Sequence, residues 1–224
     1  MIAKEGRTLW FKGSVRLRLV LRSAVLATFC TSPSHAGEPA ASSSDAFQAK
    51  LEYCKTCHGL SGQGYRGYFP MPRLAGQQPK YLENQLRAFI EGRRRNPVMS
   101  NVAHALSPSM VSALAAHFRD LDSNPIGGAP KGPLGLGKRI YDEGLPEANV
   151  PACSACHGPE AKGKEEIPRL AGQLFPYTVK TLTYWSKERG LGGAKDISSI
   201  MVPTTHNLTQ SQIAAIAAYV SNLK

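Results

Sequence analysis

Apolar side chains recur at helical intervals in two distant stretches of the chain. Val111, Leu114, Phe118 and Leu121 stand three or four residues apart in "LSPSMVSALAAHFRDL", and Ile213, Ile216 and Val220 do the same in "LTQSQIAAIAAYVSNL". That spacing gathers each set on one face of an α-helix. Both segments carry start signals. Thr209 and Gln212 form a Thr-x-x-Gln capping box, and Ser107 precedes Pro108, a residue suited to the first helical position. Shorter helices are expected over Ala46–Tyr53 and Lys138–Glu143, and a further one in each of "PKYLENQLRAFIEG" and "PYTVKTLTYWSKER". No stretch alternates apolar and polar residues with period two for long. The pattern predicts an all-α protein.

The two terminal helices belong to a larger repetition. "PRLAGQ" stands at 72–77 and again, letter for letter, at 168–173. Cys54-x-x-Cys57-His58 returns as Cys153-x-x-Cys156-His157. Met99 lies seven residues before Leu106 and Met201 seven before Leu208, with His104 and His206 at matching places between them. Markers in one order at nearly constant offsets mean a tandem duplication. The Pro- and Gly-rich stretch "DSNPIGGAPKGPLG", 122–135, is the natural joint. Two domains are therefore expected, 37–124 and 125–224, each large enough for a small core.

Residues 1–36 read as a secretory leader. Six Lys or Arg and one Glu in 1–22 are followed by the apolar "SAVLATFC" and by small residues that place cleavage after Ala36. The apolar run is too short to span a bilayer. The leader holds 6 of the 27 basic residues and 1 of the 16 acidic ones, so the remainder keeps +6 of the formal +11. That charge suits acidic partners, and no motif points to nucleic acid. Export would place the protein in the periplasm. With Cys30 removed, four cysteines remain, all in the two motifs.

Cys-x-x-Cys-His is the attachment signature of c-type haem. Cysteines at i and i+3 of a helical turn face one way and can form thioethers to the two vinyl groups of one porphyrin. A histidine at i+4 lies near the same face and can reach the iron. Three other readings compete. Zinc would need both pairs to converge and leaves the histidines unexplained; a thioredoxin-type dithiol wants a strand-to-helix context that is missing; plain disulfides remain the bland alternative. For the sixth iron ligand, the repeat singles out Met99 and Met201, because Met110 falls within a terminal helix and Met71 reads as packing. His104 and His206, also paired by the repeat, are the alternative.

Carried by Cys54–His58, Pro72–Gln77, Met99, Cys153–His157, Pro168–Gln173 and Met201, the whole mature chain resembles the dihaem class I cytochromes c of the cytochrome c4 type. The resemblance implies two tandem cytochrome folds, each wrapping one covalently bound haem c. It implies thioethers from Cys54, Cys57, Cys153 and Cys156, and iron ligation by His58 with Met99 and by His157 with Met201. Pro72 and Pro168 would offer their carbonyls to the ligating histidines, and Leu74 and Leu170 would lie against the rings. A His/Met-ligated iron has no vacancy for substrate, and methionine raises its potential. The expectation is an electron carrier rather than an enzyme, serving a terminal oxidase or reductase, a quinol-oxidising complex or a dehydrogenase, with peripheral docking at the membrane surface. The alternatives are a cytochrome subunit of a dehydrogenase acting on sulfite, thiosulfate or an alcohol, and a dihaem peroxidase-like enzyme. Arg93–Arg95 are expected to rim the first haem and to steer acidic partners, or else to form a solvated charged loop.

Overall fold

The polypeptide was analysed as a computed structural model that describes residues 43–122, 124–132 and 134–224. The leader expected over 1–36, with Cys30, lies outside the described residues. In the first half, α1 (Ser43–His58), α2 (Pro79–Ile90), α3 (Pro97–His104) and α4 (Pro108–Asp120) follow in order. The second half holds α5 (Leu134–Glu143), α6 (Ser154–His157), α7 (Phe175–Thr183), α8 (Trp185–Glu188), α9 (Met201–His206) and α10 (Gln210–Asn222). The described residues form no strand, only the isolated antiparallel bridges Tyr65–Met71, Leu145–Val150 and Lys164–Ile167.

The helices begin and end where their sequences ask. Ser107 accepts from Met110 N–H at 3.2 Å ahead of Pro108. Thr209 and Gln212 close both bonds of their capping box, at 2.8 and 3.3 Å. Asn96, which carried no expectation, caps α3 by accepting from Met99 N–H at 3.0 Å. Two expectations are corrected. The first helix runs unbroken from Ser43 through the cysteine motif to His58, whereas its counterpart is split into α5 and α6 by a turn closed at Leu145 and Val150. "PYTVKTLTYWSKER" is two helices, not one. Tyr184 leaves helical geometry, and Trp185 turns inward to donate its indole N–H to Ser198 O at 3.1 Å.

The apolar stripes make two cores. Leu51 of α1, Leu82 of α2 and Leu114, Ala115 and Phe118 of α4 fill the first. Ile140 and Tyr141 of α5 meet Ile213, Ile216 and Val220 of α10 in the second, joined by Val150, Ala161, Ala171 and Leu208. Contact between α5 and α10 is close because Gly137 faces α10: a Cβ there would lie 2.7 Å from the carbonyl carbon of Ala215 and nearer still to its oxygen.

Candidate haem-binding sites

Each site is built by a short backbone frame that the repeat writes twice. In the first half, Gly62 O accepts from Leu74 N–H at 2.8 Å and Ala75 N–H at 3.0 Å, and Gly64 N–H donates to His58 O at 2.8 Å. In the second, Ala161 O accepts from Leu170 N–H at 2.7 Å and Ala171 N–H at 2.9 Å, and Gly163 N–H donates to His157 O at 2.9 Å. Gly62 and Ala161 take left-handed backbone, φ 65° and 55°, so the second half holds a strained non-glycine residue where the first has the unstrained one. Gly76 N–H and Gly172 N–H then tie the end of each "PRLAGQ" to its terminal helix, through Phe118 O and Val220 O, both at 2.9 Å. The loop is thereby pinned at both ends.

That pinning aims a proline carbonyl at each histidine. His58 Nδ1 lies 2.9 Å from Pro72 O, and His157 Nδ1 lies 3.0 Å from Pro168 O. A carbonyl can only accept, so Nδ1 carries the proton and Nε2 presents a lone pair. Both rings are buried. Burial pulls the His58 and His157 pKa values below the ordinary imidazole value, against the raising effect of the proline carbonyls; Arg94 lowers His58 further. The imidazoles are therefore neutral near pH 7, the form a metal needs.

Cys54 and Cys153 are half-buried, Cys57 and Cys156 exposed, and all four stand as free cysteines. Burial raises the Cys54 thiol and pushes the Cys153 thiol up to about 11. A thiol raised in this way is a poor free nucleophile, and among the described residues no group of three or more His, Cys, Asp or Glu side chains could hold a zinc ion.

The two motifs open on one cavity of about 510 Å³, lined from both halves. Cys54, Cys57, His58, Pro72, Leu74 and Met99 line its first side, and Cys153, Cys156, His157, Pro168, Leu170 and Met201 its second. Met71 also lines it. Met110 packs on the first core instead. His104 and His206 are exposed and outside the lining, and His104 Nδ1 lies 2.7 Å from the Ser100 carbonyl of its own helix.

Two arginines mark what the cavity is built to hold. Arg94 and Arg189 enter it from opposite halves, stacked over Phe89 at 4.4 Å and over Trp185 at 5.2 Å. Arg189 donates to Tyr177 Oη (2.5 Å), Tyr81 Oη (3.1 Å) and Gln85 Oε1 (3.1 Å). Arg94 donates to Gln85 Oε1 (2.7 Å) and Tyr177 Oη (3.1 Å). No carboxylate among the described residues forms an ion pair with either. Burial raises the Tyr177 pKa, but the two guanidiniums outweigh it and leave the phenol more acidic than usual. One buried and one half-buried cation that share neutral acceptors call for an anionic occupant. A haem, with its two propionates, fits that demand and the donor set of thiols, imidazoles and thioethers.

Arg93–Arg95 are not a free basic rim. Arg93 pairs with Glu91 and, across the seam, with Asp196; Arg94 points into the cavity; only the Arg95 side chain is exposed, while its N–H donates to Glu188 O at 2.8 Å. The steering expectation fails for Arg93 because the expanded segment between Trp185 and Met201 folds onto it, through Asp196 and Leu191, and for Arg94 because its side chain turns inward to Gln85 and Tyr177. Tyr81 and Tyr177 carried no expectation, although they sit at the same offset as the two copies of "PRLAGQ".

Its glutamines were overlooked too. Gln77 and Gln173 close a reciprocal clasp between the halves. Gln173 Oε1 accepts from Arg73 N–H at 2.9 Å while its Nε2 donates to Arg73 O at 3.0 Å. Gln77 Oε1 accepts from Arg169 N–H at 2.7 Å while its Nε2 donates to Arg169 O at 3.0 Å.

The cytochrome c family profile matches residues 44–121 and 135–224. The chain is 37% identical over 175 residues to the thiosulfate dehydrogenase electron acceptor of Thiomonas intermedia strain K12, covering 75% of this chain and 77% of that one. It is 35% identical over 173 residues to cytochrome c4 of Thiocapsa roseopersicina, covering 76% and 86%. The crystal structure of reduced recombinant cytochrome c4 from Pseudomonas stutzeri superposes with a TM-score of 0.70 at 28% identity, over 82% of this chain and 100% of that one.

Proposed function

Because the chain belongs to the cytochrome c family, as a two-domain electron-transfer protein of the cytochrome c4 type with two covalent haem c groups, we propose that it is a periplasmic one-electron relay with no catalytic site of its own. Its domains are 37–124 and 125–224. His58 with Met99, and His157 with Met201, would hold the two irons; Cys54, Cys57, Cys153 and Cys156 would form the thioethers. The observation that carries this reading is the convergence of two histidines, each with its Nδ1 proton on a proline carbonyl, and two methionines on one cavity.

When bound, each haem supplies a one-electron Fe(III)/Fe(II) couple. The protein's part is to hold that couple still. Pro72 and Pro168 fix the imidazole orientation and keep Nε2 free. The thioethers of Met99 and Met201, which line the cavity, are soft, neutral donors that would favour the ferrous state and would close the position a substrate needs. Leu74 and Leu170, which line the cavity, would shield the rings from water. Arg94 and Arg189 would hold propionates and add positive charge beside the acceptor. Among the described residues no helix is long and apolar enough to cross a membrane, which suits a protein that docks rather than inserts.

A second reading is favoured by one specific observation, the likeness to a thiosulfate dehydrogenase electron acceptor. In it, this chain takes electrons from a separate thiosulfate-oxidising enzyme and passes them on. The site chemistry is the same; only the donor differs.

Optical spectra of the exported protein test the ligation. The methionine–iron charge-transfer band in the far red should weaken in Met99→Ala, weaken in Met201→Ala and vanish in the double variant. A band that survives the double variant, or a reduced haem that binds carbon monoxide without denaturant in the unsubstituted protein, would overturn the closed-site reading. Stopped-flow mixing with a thiosulfate dehydrogenase plus thiosulfate separates the two donors: fast reduction supports the second reading, and none removes it.

A further inference from the structure

The glutamine clasp reaches further than the seam. Arg73 N–H and Pro72 C=O belong to one peptide unit, so the bond at Gln173 and the bond at His58 lie on opposite ends of the same amide. From the histidine outward, His58 Nδ1–H meets Pro72 O at 2.9 Å, and Arg73 N–H meets Gln173 Oε1 at 2.9 Å. In the other half, His157 Nδ1–H meets Pro168 O at 3.0 Å, and Arg169 N–H meets Gln77 Oε1 at 2.7 Å. Both glutamines are buried. Each Oε1 also accepts from the next residue's N–H, Gln78 or Leu174, at 2.9 Å, which fixes the amide in place.

An acceptor on the N–H side of a peptide draws positive character onto the hydrogen and pushes electron density toward the carbonyl oxygen. Hydrogen bonds in such a chain polarise one another, and more so where water is excluded. The proline carbonyl becomes a stronger acceptor and the histidine behind it a more basic ligand, which favours ferric iron.

We propose that Gln173 and Gln77 are positioning residues that act across the domain seam, Gln173 setting the basicity of His58 in the first half and Gln77 that of His157 in the second. The potential of each haem is thus tuned by a side chain of the other domain. The inference rests on His58 and His157 being the iron ligands. Each couple remains a one-electron exchange, with the Nδ1 proton retained in its bond to the proline carbonyl.

The test uses the full-length holoprotein with Gln173→Leu, Gln77→Leu and Gln173→Glu. Redox titrations are followed by NMR, in which the haem methyl resonances of the two oxidised centres separate. Gln173→Leu should raise the potential of the His58 haem relative to the other. The expected change in electron partition is about threefold to tenfold, or about 30 to 59 mV for a one-electron couple. Gln77→Leu should produce the opposite displacement. Gln173→Glu, which keeps an acceptor for Arg73 N–H, should leave the His58 haem at or below its unsubstituted potential. Equal shifts of both haems, a shift confined to the mutated half, or no shift would overturn the proposal, because a clasp that only holds the halves together gives those results. A spectrum of the unsubstituted protein without two low-spin, histidine-bound haems would overturn the underlying ligation, and this proposal with it.

Discussion

Alanine is a far better helix former than glycine, by about 1 kcal/mol in a helix interior, so Gly137→Ala in α5 should stabilise the protein if local propensity decides. The packing of α5 on α10 predicts the reverse. A Cβ at 137 would sit 2.7 Å from the carbonyl carbon of Ala215 and 2.8 Å from Tyr219 Cβ. It would lie closer still to Ala215 O, and carbon and oxygen settle at about 3.3 Å or beyond, so α5 must retreat by roughly 1.2 Å. It cannot do so freely, because Ile140 and Tyr141 on the same helix are fully buried against α10. Overpacking of this kind costs about 1–3 kcal/mol. Set against the propensity gain, the variant should lose up to about 2 kcal/mol, which lowers Tm by up to about 16 °C in a domain of this size. Gly135 is the internal control, since it lies on the same helix facing open space; Gly135→Ala should raise stability by up to about 1 kcal/mol. Thermal unfolding of the two holoprotein variants, followed by circular dichroism, gives both signs. A higher Tm for Gly137→Ala would refute the close approach of the two helices.

Two further outcomes follow from the site. Burial holds His58 and His157 below the ordinary imidazole pKa, so unfolding at acid pH releases sites that take up protons. Stability should therefore be level above about pH 6.5 and fall below it, by up to about 1.4 kcal/mol per pH unit for each histidine; urea titrations from pH 8 to 5 check this, and a curve rising toward acid would contradict it. Arg189→Leu removes a buried positive charge beside the cavity and so disfavours the added electron. The potential of at least one haem should drop in spectroelectrochemical titration, and two unchanged potentials would refute a role for Arg189 near the propionates.

The parts of this protein that a local pattern can encode were readable in the sequence. The stripes at Val111–Phe118 and Ile213–Val220, the caps at Ser107 and Thr209 and the haem signatures each depend on neighbours a few residues away. The repeat added the long-range information that selected Met99 and Met201, and both line the cavity. What stayed hidden depends on how the halves dock. Arg93 and Arg94 look like a solvated basic run until the Trp185–Met201 segment covers the first and the second turns in to Gln85 and Tyr177. Gln77 and Gln173 were visible as conspicuously copied letters, yet their partners lie 92 and 100 residues away. Tyr184 breaks a helix only because Trp185 finds a carbonyl in a segment with no counterpart in the first half.

The clasp also carries a record of origin. Gln77 grips the backbone beside Pro168 as Gln173 grips the backbone beside Pro72, so one patch meets its own copy, the arrangement found where two identical chains pair about a dyad. A single such unit would carry both parts of the clasp, the amide side chain and the backbone it grips, and joining two in one chain makes their pairing independent of concentration. The two copies have since diverged, as the split of α5 from α6 shows.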